Sequence, residues 1–296
     1  MRKIIPLLAP LMLTPLLASC TAYYGPPPPP PPPRVVYAPP PPVVVRPAPV
    51  VVRPAPAPVV TNGAVSAFYS SLSPYGQWVI TARFGQCWRP YGVPAGGRPY
   101  TNGYWILTDY GWTFVSNAPW SWACYHYGRW FSDSRYGWVW YPGLEWAPAW
   151  VVWRTGGDYV GWAPIPPGVT VSQFGFSPPI YSIDTVFPSF AFSFVRIEDF
   201  GRRDVDSFII SGSRSAAIVG QTNIFVGIGR ENGRIVNRFN DEPGFEARIE
   251  RYGHHPIERY RLGERRGPGP AEVRGNEVRM YRPDFRRSRG RDGHSR

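Results

Sequence analysis

The stretch Tyr125-His126-Tyr127-Gly128-Arg129-Trp130, followed by Tyr136, Trp138 and Trp140, sets aromatic rings beside a guanidinium and an imidazole. Exposed Trp and Tyr next to arginine suit stacking on sugar rings or gripping a partner protein. Tyr125, His126, Tyr127, Arg129, Trp130, Tyr136, Trp138 and Trp140 are therefore the candidate binding residues. Catalysis has less to stand on. Between Thr61 and Pro164 the acids are Asp109, Asp133, Glu145 and Asp158, and the only histidine is His126. A glycosidase needs two carboxylates across a cleft, and Glu145 with Asp133 is the one pair to test. Asp109 and Asp133 fall at hairpin turns, where aspartate ordinarily stabilises the turn itself. No Ser/His/Asp order, phosphate-binding loop or dinucleotide fingerprint is present. No Cys-x-x-Cys or His/Cys cluster has metal-ligand spacing, and His254-His255, after Gly253, reads as a loop. The chain is expected to be non-catalytic, with no metal and no cofactor.

The elements that must position these residues repeat. All thirteen tryptophans lie between Trp78 and Trp162. Gly-x-Trp occurs at Gly76, Gly103 and Gly128, and each is followed by an aromatic-Gly pair: Phe84-Gly85, Tyr110-Gly111 and Tyr136-Gly137. Three residues later come Trp88, Phe114 and Trp140. The unit length suits two short strands around a glycine turn. Val65, Phe68 and Leu72 have helical spacing, ended by Ser73-Pro74. Ala149-Trp150-Val151-Val152-Trp153 is apolar at every position and reads as a strand buried on both faces. Many of the rings are needed simply to fold a domain of short, glycine-rich strands, since burying one tryptophan removes roughly 150 to 250 Å² from water. Beyond Pro167 tryptophan disappears. Asn232-Gly233 reads as a hairpin turn, Phe245, Ile249 and Tyr252 as a short helix capped by Gly253, and 257–262 and 277–282 as strands.

The N-terminus is read differently. Arg2 and Lys3 precede an apolar run from Ile4 to Leu17 that closes in Leu17-Ala18-Ser19-Cys20. That pattern is a secretory signal, and cysteine directly after the small residues resembles the lipobox of lipoproteins. Cys20 is then the lipidated first residue of the mature chain. From Gly25 to about Val60 proline, valine, alanine and arginine dominate, including the proline run at 26–33. Such a segment is expected to extend as polyproline II, about 100 Å at roughly 3.1 Å per residue.

Lys3 is the only lysine, so the formal charge of +12 rests on arginine. The surplus is concentrated in the last third, ending in Phe285-Arg286-Arg287-Ser288-Arg289-Gly290-Arg291. Guanidinium forks bind phosphate and carboxylate, while a solvated, compositionally biased tail explains the same charge without a ligand. An exported protein does not normally meet nucleic acid, so that partner is set aside. Disulfides persist outside the cytoplasm, and Cys87 with Cys124 is the natural pair, worth about 3 to 4 kcal/mol on a loop-closure argument.

Ser73-Pro74-Tyr75-Gly76, His126-Tyr127-Gly128-Arg129-Trp130, Trp146-Ala147-Pro148-Ala149-Trp150-Val151 and Gly161-Trp162-Ala163-Pro164-Ile165-Pro166-Pro167 resemble an uncharacterised bacterial family, domain of unknown function 6600. Gln221-Thr222-Asn223-Ile224, Gly233-Arg234-Ile235-Val236-Asn237-Arg238 and 277–283 resemble that family's C-terminal stretch. The resemblance implies an exported, tryptophan-rich protein, often a lipoprotein. It brings no activity or catalytic residues, and gives the cysteine pair no support.

The expectation is a mostly β chain in five parts: a lipoprotein signal at 1–19, a proline-rich stalk at 20–62, a Trp/Gly-rich domain of repeated hairpins at 63–167 forming a sheet or barrel-like unit, a smaller β-rich region with one short helix at 168–285, and a disordered basic tail at 286–296. The expected role is binding a cell-envelope polymer, peptidoglycan or an anionic polysaccharide, by an outer-membrane lipoprotein facing the periplasm. A structural partner of another envelope protein and a glycan hydrolase using Glu145 are the alternatives.

Overall fold

The computed structural model describes Gly25 and residues 63–91, 97–172, 175–177, 183–238, 244–253, 256–283 and 285. The signal segment, Cys20, the rest of the stalk, His254-His255 and the basic tail lie outside the described residues.

The described residues form a mostly β structure of seventeen strands in four sheets, none of which closes into a barrel. In chain order the strands are β1 (Gly76–Thr81), β2 (Gly85–Pro90), β3 (Tyr104–Thr108), β4 (Gly111–Val115), β5 (Arg129–Asp133), β6 (Gly137–Tyr141), β7 (Val151–Gly156), β8 (Tyr159–Pro164), β9 (Thr170–Ser172), β10 (Gly175–Ser177), β11 (Ser193–Arg196), β12 (Asn223–Phe225), β13 (Ile228–Glu231), β14 (Arg234–Asn237), β15 (Arg259–Glu264), β16 (Glu272–Arg274) and β17 (Glu277–Met280). The helices are α1 (Gly63–Leu72), α2 (Ser121–Cys124), α3 (Ile183–Val186), α4 (Gly212–Val219) and α5 (Phe245–Tyr252). Sheet orders are β1-β2-β6-β5, β10-β9, β11-β8-β7-β12 and β13-β14-β4-β3-β15-β17-β16.

The three repeats are the hairpins β1/β2, β3/β4 and β5/β6, and their spacing has a structural cause. In each, the tryptophan of Gly-x-Trp faces the last aromatic of the unit across the ladder: Trp78 with Trp88, Trp105 with Phe114, Trp130 with Trp140. The first glycine leaves room for that ring. A Cβ on Gly76 would sit 2.4 Å from the Trp88 ring, and one on Gly128 2.7 Å from Trp140 and 2.3 Å from the Tyr141 carbonyl. The turn glycine supplies a left-handed backbone, with φ of 70° at Gly137, where other residues are strained. The hairpins do not form one row. The first and third join through Trp88 and Trp140, while the second enters the seven-stranded sheet.

Four strand pairings cross the change of composition at 167/168: β8 with β11, β7 with β12, β4 with β14 and β3 with β15. The described residues from 63 onward consequently group as one compact unit, so the loss of tryptophan beyond Pro167 does not mark a break in the fold. Among the described residues the C-terminal half has three α-helices rather than one. α3 and α4 went unread because α3 is one turn long and α4 buries only Ser215 and Ile218. The turn at Asn232-Gly233 is present with both residues at positive φ, joining β13 to β14.

Candidate functional site

The expected binding stretch is core. Tyr125, His126, Tyr127, Trp130 and Trp140 are all buried. Hydrogen bonding explains why. α2 leads into a loop at 125–128 that passes through the interior, where its carbonyls meet no water. Aromatic donors supply what water cannot: Trp130 Nε1 donates to the Cys124 carbonyl at 2.7 Å, Tyr100 Oη to that of Tyr125 at 3.1 Å, Trp150 Nε1 to that of His126 at 3.1 Å, and Trp140 Nε1 to that of Tyr127 at 2.7 Å. Trp162 and Trp88 do the same for Tyr100 and Leu72. His126 Nδ1 lies 3.0 Å from the Ala147 carbonyl, and burial pushes its pKa down to about 4. The remaining three candidates are half-buried around that core and do not form one exposed surface. Arg129 lies 3.2 Å from the centroid of the buried Trp150 ring, with burial lowering its pKa to about 10. Tyr136 packs on the cluster of Val79, Cys87, Phe131 and Val139, and Trp138 packs near Phe190. No tryptophan falls in the exposed class; only Trp78, Trp138 and Trp146 are partly so. As expected, Trp150 and Trp153 are fully buried.

The expected disulfide is absent. Cys87 and Cys124 are free and buried. Cys87 belongs to the cluster on one face of the β1-β2-β6-β5 sheet, while its neighbour Trp88 points to the other face, into the main core that holds Cys124. The sheet separates them. Burial raises both thiols, Cys87 to about 11, so neither is a reactive thiolate.

Of the candidate acids, Asp133 caps its own turn, accepting from the backbone N–H of Arg135 and Tyr136 at 2.9 and 3.1 Å. Asp109 instead accepts from Leu262 N at 3.1 Å and so ties its hairpin to β15. Glu145 is ion-paired with Arg230.

That pair lies in a cleft of about 720 Å³ whose walls include Tyr110, Trp146, Arg230, Arg234 and Arg282. Tyr110 and Trp146 meet edge to face with centroids 5.2 Å apart. Arg282 stands over both rings, at 5.5 and 5.2 Å, and Arg234 over Tyr110 at 5.6 Å. Arg282 also donates to Tyr110 Oη at 3.3 Å and lies 3.5 Å from Glu264. Its Nε and the Trp146 Nε1 are buried without an acceptor. Arg234 is exposed and, among the described residues, has no carboxylate partner. The cleft therefore holds three guanidiniums against two carboxylates, set on aromatic rings. The sequence does not group its members because they come from five separate segments, around Tyr110, Glu145, Arg230, Glu264 and Arg282; the visible signal is Trp146 standing next to Glu145 and Ala147-Pro148, outside any repeat.

Among the described residues no helix is long and apolar enough to cross a membrane, which leaves β-barrels unaddressed. Neither the curated proteins nor the solved structures contain a match to this chain. The segments beyond residue 169 whose resemblance was noted above fall outside the family match. Residues 69–169, which hold the three hairpins, the buried loop and the Tyr110 and Trp146 side of the cleft, match the model of a family of unknown function, DUF6600.

Proposed function

We propose that this protein is a non-catalytic lipoprotein, anchored through Cys20 to the outer membrane and facing the periplasm, that binds an anionic envelope polymer in the Tyr110/Trp146/Arg282 cleft. Peptidoglycan and acidic polysaccharide both combine sugar rings with carboxylates. The observation that carries the reading is the placement of Arg234 and Arg282 over Tyr110 and Trp146. Rings of this kind stack on sugar faces, and guanidiniums beside them take carboxylate or phosphate. The site thus uses the chemistry expected of residues 125–140 with different residues. Purified protein is expected to sediment with isolated sacculi at low salt and to release as ionic strength passes about 0.5 M, because exposed charges are screened there. Absence of binding at low salt overturns the reading. Cys20→Ala is expected to move the protein to the soluble periplasmic fraction.

A protein partner is favoured by a different observation. β1 is the edge of its sheet and carries Ile80, which is 50% exposed, with exposed Tyr69 stacked on Trp78 nearby. An unpaired edge with apolar side chains is a pairing surface. Crosslinking in cells that returns one stoichiometric protein through this edge, with no binding to sacculi, supports that alternative. The hydrolase alternative is tested by Glu145→Gln in a zymogram.

A further inference from the structure

A second cavity, of about 380 Å³, lies between β3, β15 and the chain around Phe200. Trp105, Leu107, Trp112, Phe200 and Ile249 form its buried apolar wall. Its rim is charged, but each charge is paired within the fold. Arg203 donates to Tyr104 Oη at 3.3 Å and Tyr260 Oη at 2.9 Å, and lies 3.8 Å from Glu258, which also accepts from Tyr260 Oη. Arg202 grips Asp204 through Nε and Nη2 at 3.0 and 3.1 Å, and Glu198 takes Arg196 at 2.8 Å. Hydrogen bonding in the wall is left incomplete instead. The indole N–H groups of Trp105 and Trp112 have no acceptor, whereas those of Trp88, Trp130, Trp140, Trp150, Trp153 and Trp162 all have one.

We propose that this cavity binds a small uncharged molecule with a flat apolar body and a hydrogen-bond-accepting oxygen, of the class of aromatic ketones and esters. The volume falls within the range of roughly 300 to 1,000 Å³ usual for small-molecule sites, which are mostly apolar with a few convergent polar groups. A charged ligand gains nothing here, because it would have to displace a rim partner to find a counter-charge, and it would lose its hydration on the aromatic wall. A neutral ring buries itself against the apolar wall, and its oxygen is an acceptor for the half-buried Tyr104 hydroxyl at the rim, which accepts from Arg203 and keeps its own hydrogen to donate. This site is separate from the polymer cleft and stands or falls independently of it.

The probe is Prodan, an uncharged naphthyl ketone whose emission shifts to the blue on leaving water, added to the full-length protein. A saturable blue shift is expected, competed by 2-acetylnaphthalene and at least tenfold less well by 2-naphthoate at neutral pH. Ile257→Trp, which fills the half-buried side of the cavity, is expected to weaken Prodan binding at least tenfold. Glu258→Trp covers the mouth from a position whose side chain is 67% exposed, and is expected to do the same from the surface. Arg282→Ala should leave Prodan binding unchanged. The proposal is overturned by the absence of saturable binding, by equal competition from 2-naphthoate, or by folded Glu258→Trp protein that binds Prodan like wild type.

Discussion

Trp140 and Trp146 lie six residues apart in the chain and do opposite work. Trp140 is fully buried, sits against Gly128, and donates its indole N–H to the Tyr127 carbonyl. Trp146 is half-buried, carries the Arg282 guanidinium on its ring, and has an N–H with no acceptor. In this fold, a tryptophan whose N–H serves a backbone carbonyl is structural. One that is partly exposed and supports a cation instead presents its ring at the wall of a cleft. The loop at 125–128 and the cleft around Tyr110 are the two regions that this distinction separates.

The largest expected effect falls on the buried loop. Gly128 has a φ of 61°, and a Cβ there meets the Tyr141 carbonyl and the Trp140 ring. Gly128→Ala is expected to cost several kcal/mol in urea unfolding, well above the ~1 kcal/mol for Gly137→Ala, where only the backbone conformation is strained. Trp140→Phe removes a donor from a buried carbonyl and leaves a gap, for about 3 kcal/mol. Trp146→Phe is expected to cost under ~1 kcal/mol, as a partly exposed ring with no hydrogen bond to lose. Equal losses at Trp140 and Trp146 would remove the distinction.

Acid should act on the same loop. The pKa of His126 is lowered from 6.5 to about 4, chiefly by burial, with Arg282 adding to the effect. Between those values the unfolded chain binds the proton and the folded one does not. Stability is therefore full above about pH 6.5 and declines as pH falls through that window toward 4. Chemical denaturation across pH 4 to 7 is expected to show a slope that His126→Gln flattens.

How far the sequence was legible follows from the same physics. The Gly-x-Trp repeats gave the three hairpins, because the glycine, the cross-strand ring pair and the turn all lie within one local unit. The helix at Gly63–Leu72 is equally plain from periodicity, and the strand at Val151–Gly156 from the unbroken apolar run Ala149–Trp153 that overlaps it. Which sheet each hairpin joined was not legible, since β3 takes β15 as its neighbour from more than 150 residues away. The binding stretch was misplaced for a related reason. Tyr125-His126-Tyr127 has the composition of an exposed aromatic surface, and only the long-range donors Tyr100, Trp140 and Trp150 make it interior. The cysteine pair failed because adjacent strand residues Cys87 and Trp88 face opposite ways, and it is Trp88 that faces the side holding Cys124.

The smallest expected effect is that of reductant. With no bridge to break, dithiothreitol should leave the unfolding midpoint unchanged, and maleimide should label Cys87 and Cys124 only after denaturation. A midpoint that drops on reduction would show that the sheet does not keep them apart.

The separation of cleft from loop is tested most directly by comparing polymer-binding isotherms of two double variants at low salt. Arg234→Ala/Arg282→Ala changes the cleft, and Tyr136→Ala/Trp138→Ala changes the partly exposed residues of the 125–140 stretch. The first is expected to weaken binding to sacculi at least tenfold, with the second within about twofold of wild type. Loss of binding in the second variant, with the first unaffected and both folded, would contradict the account.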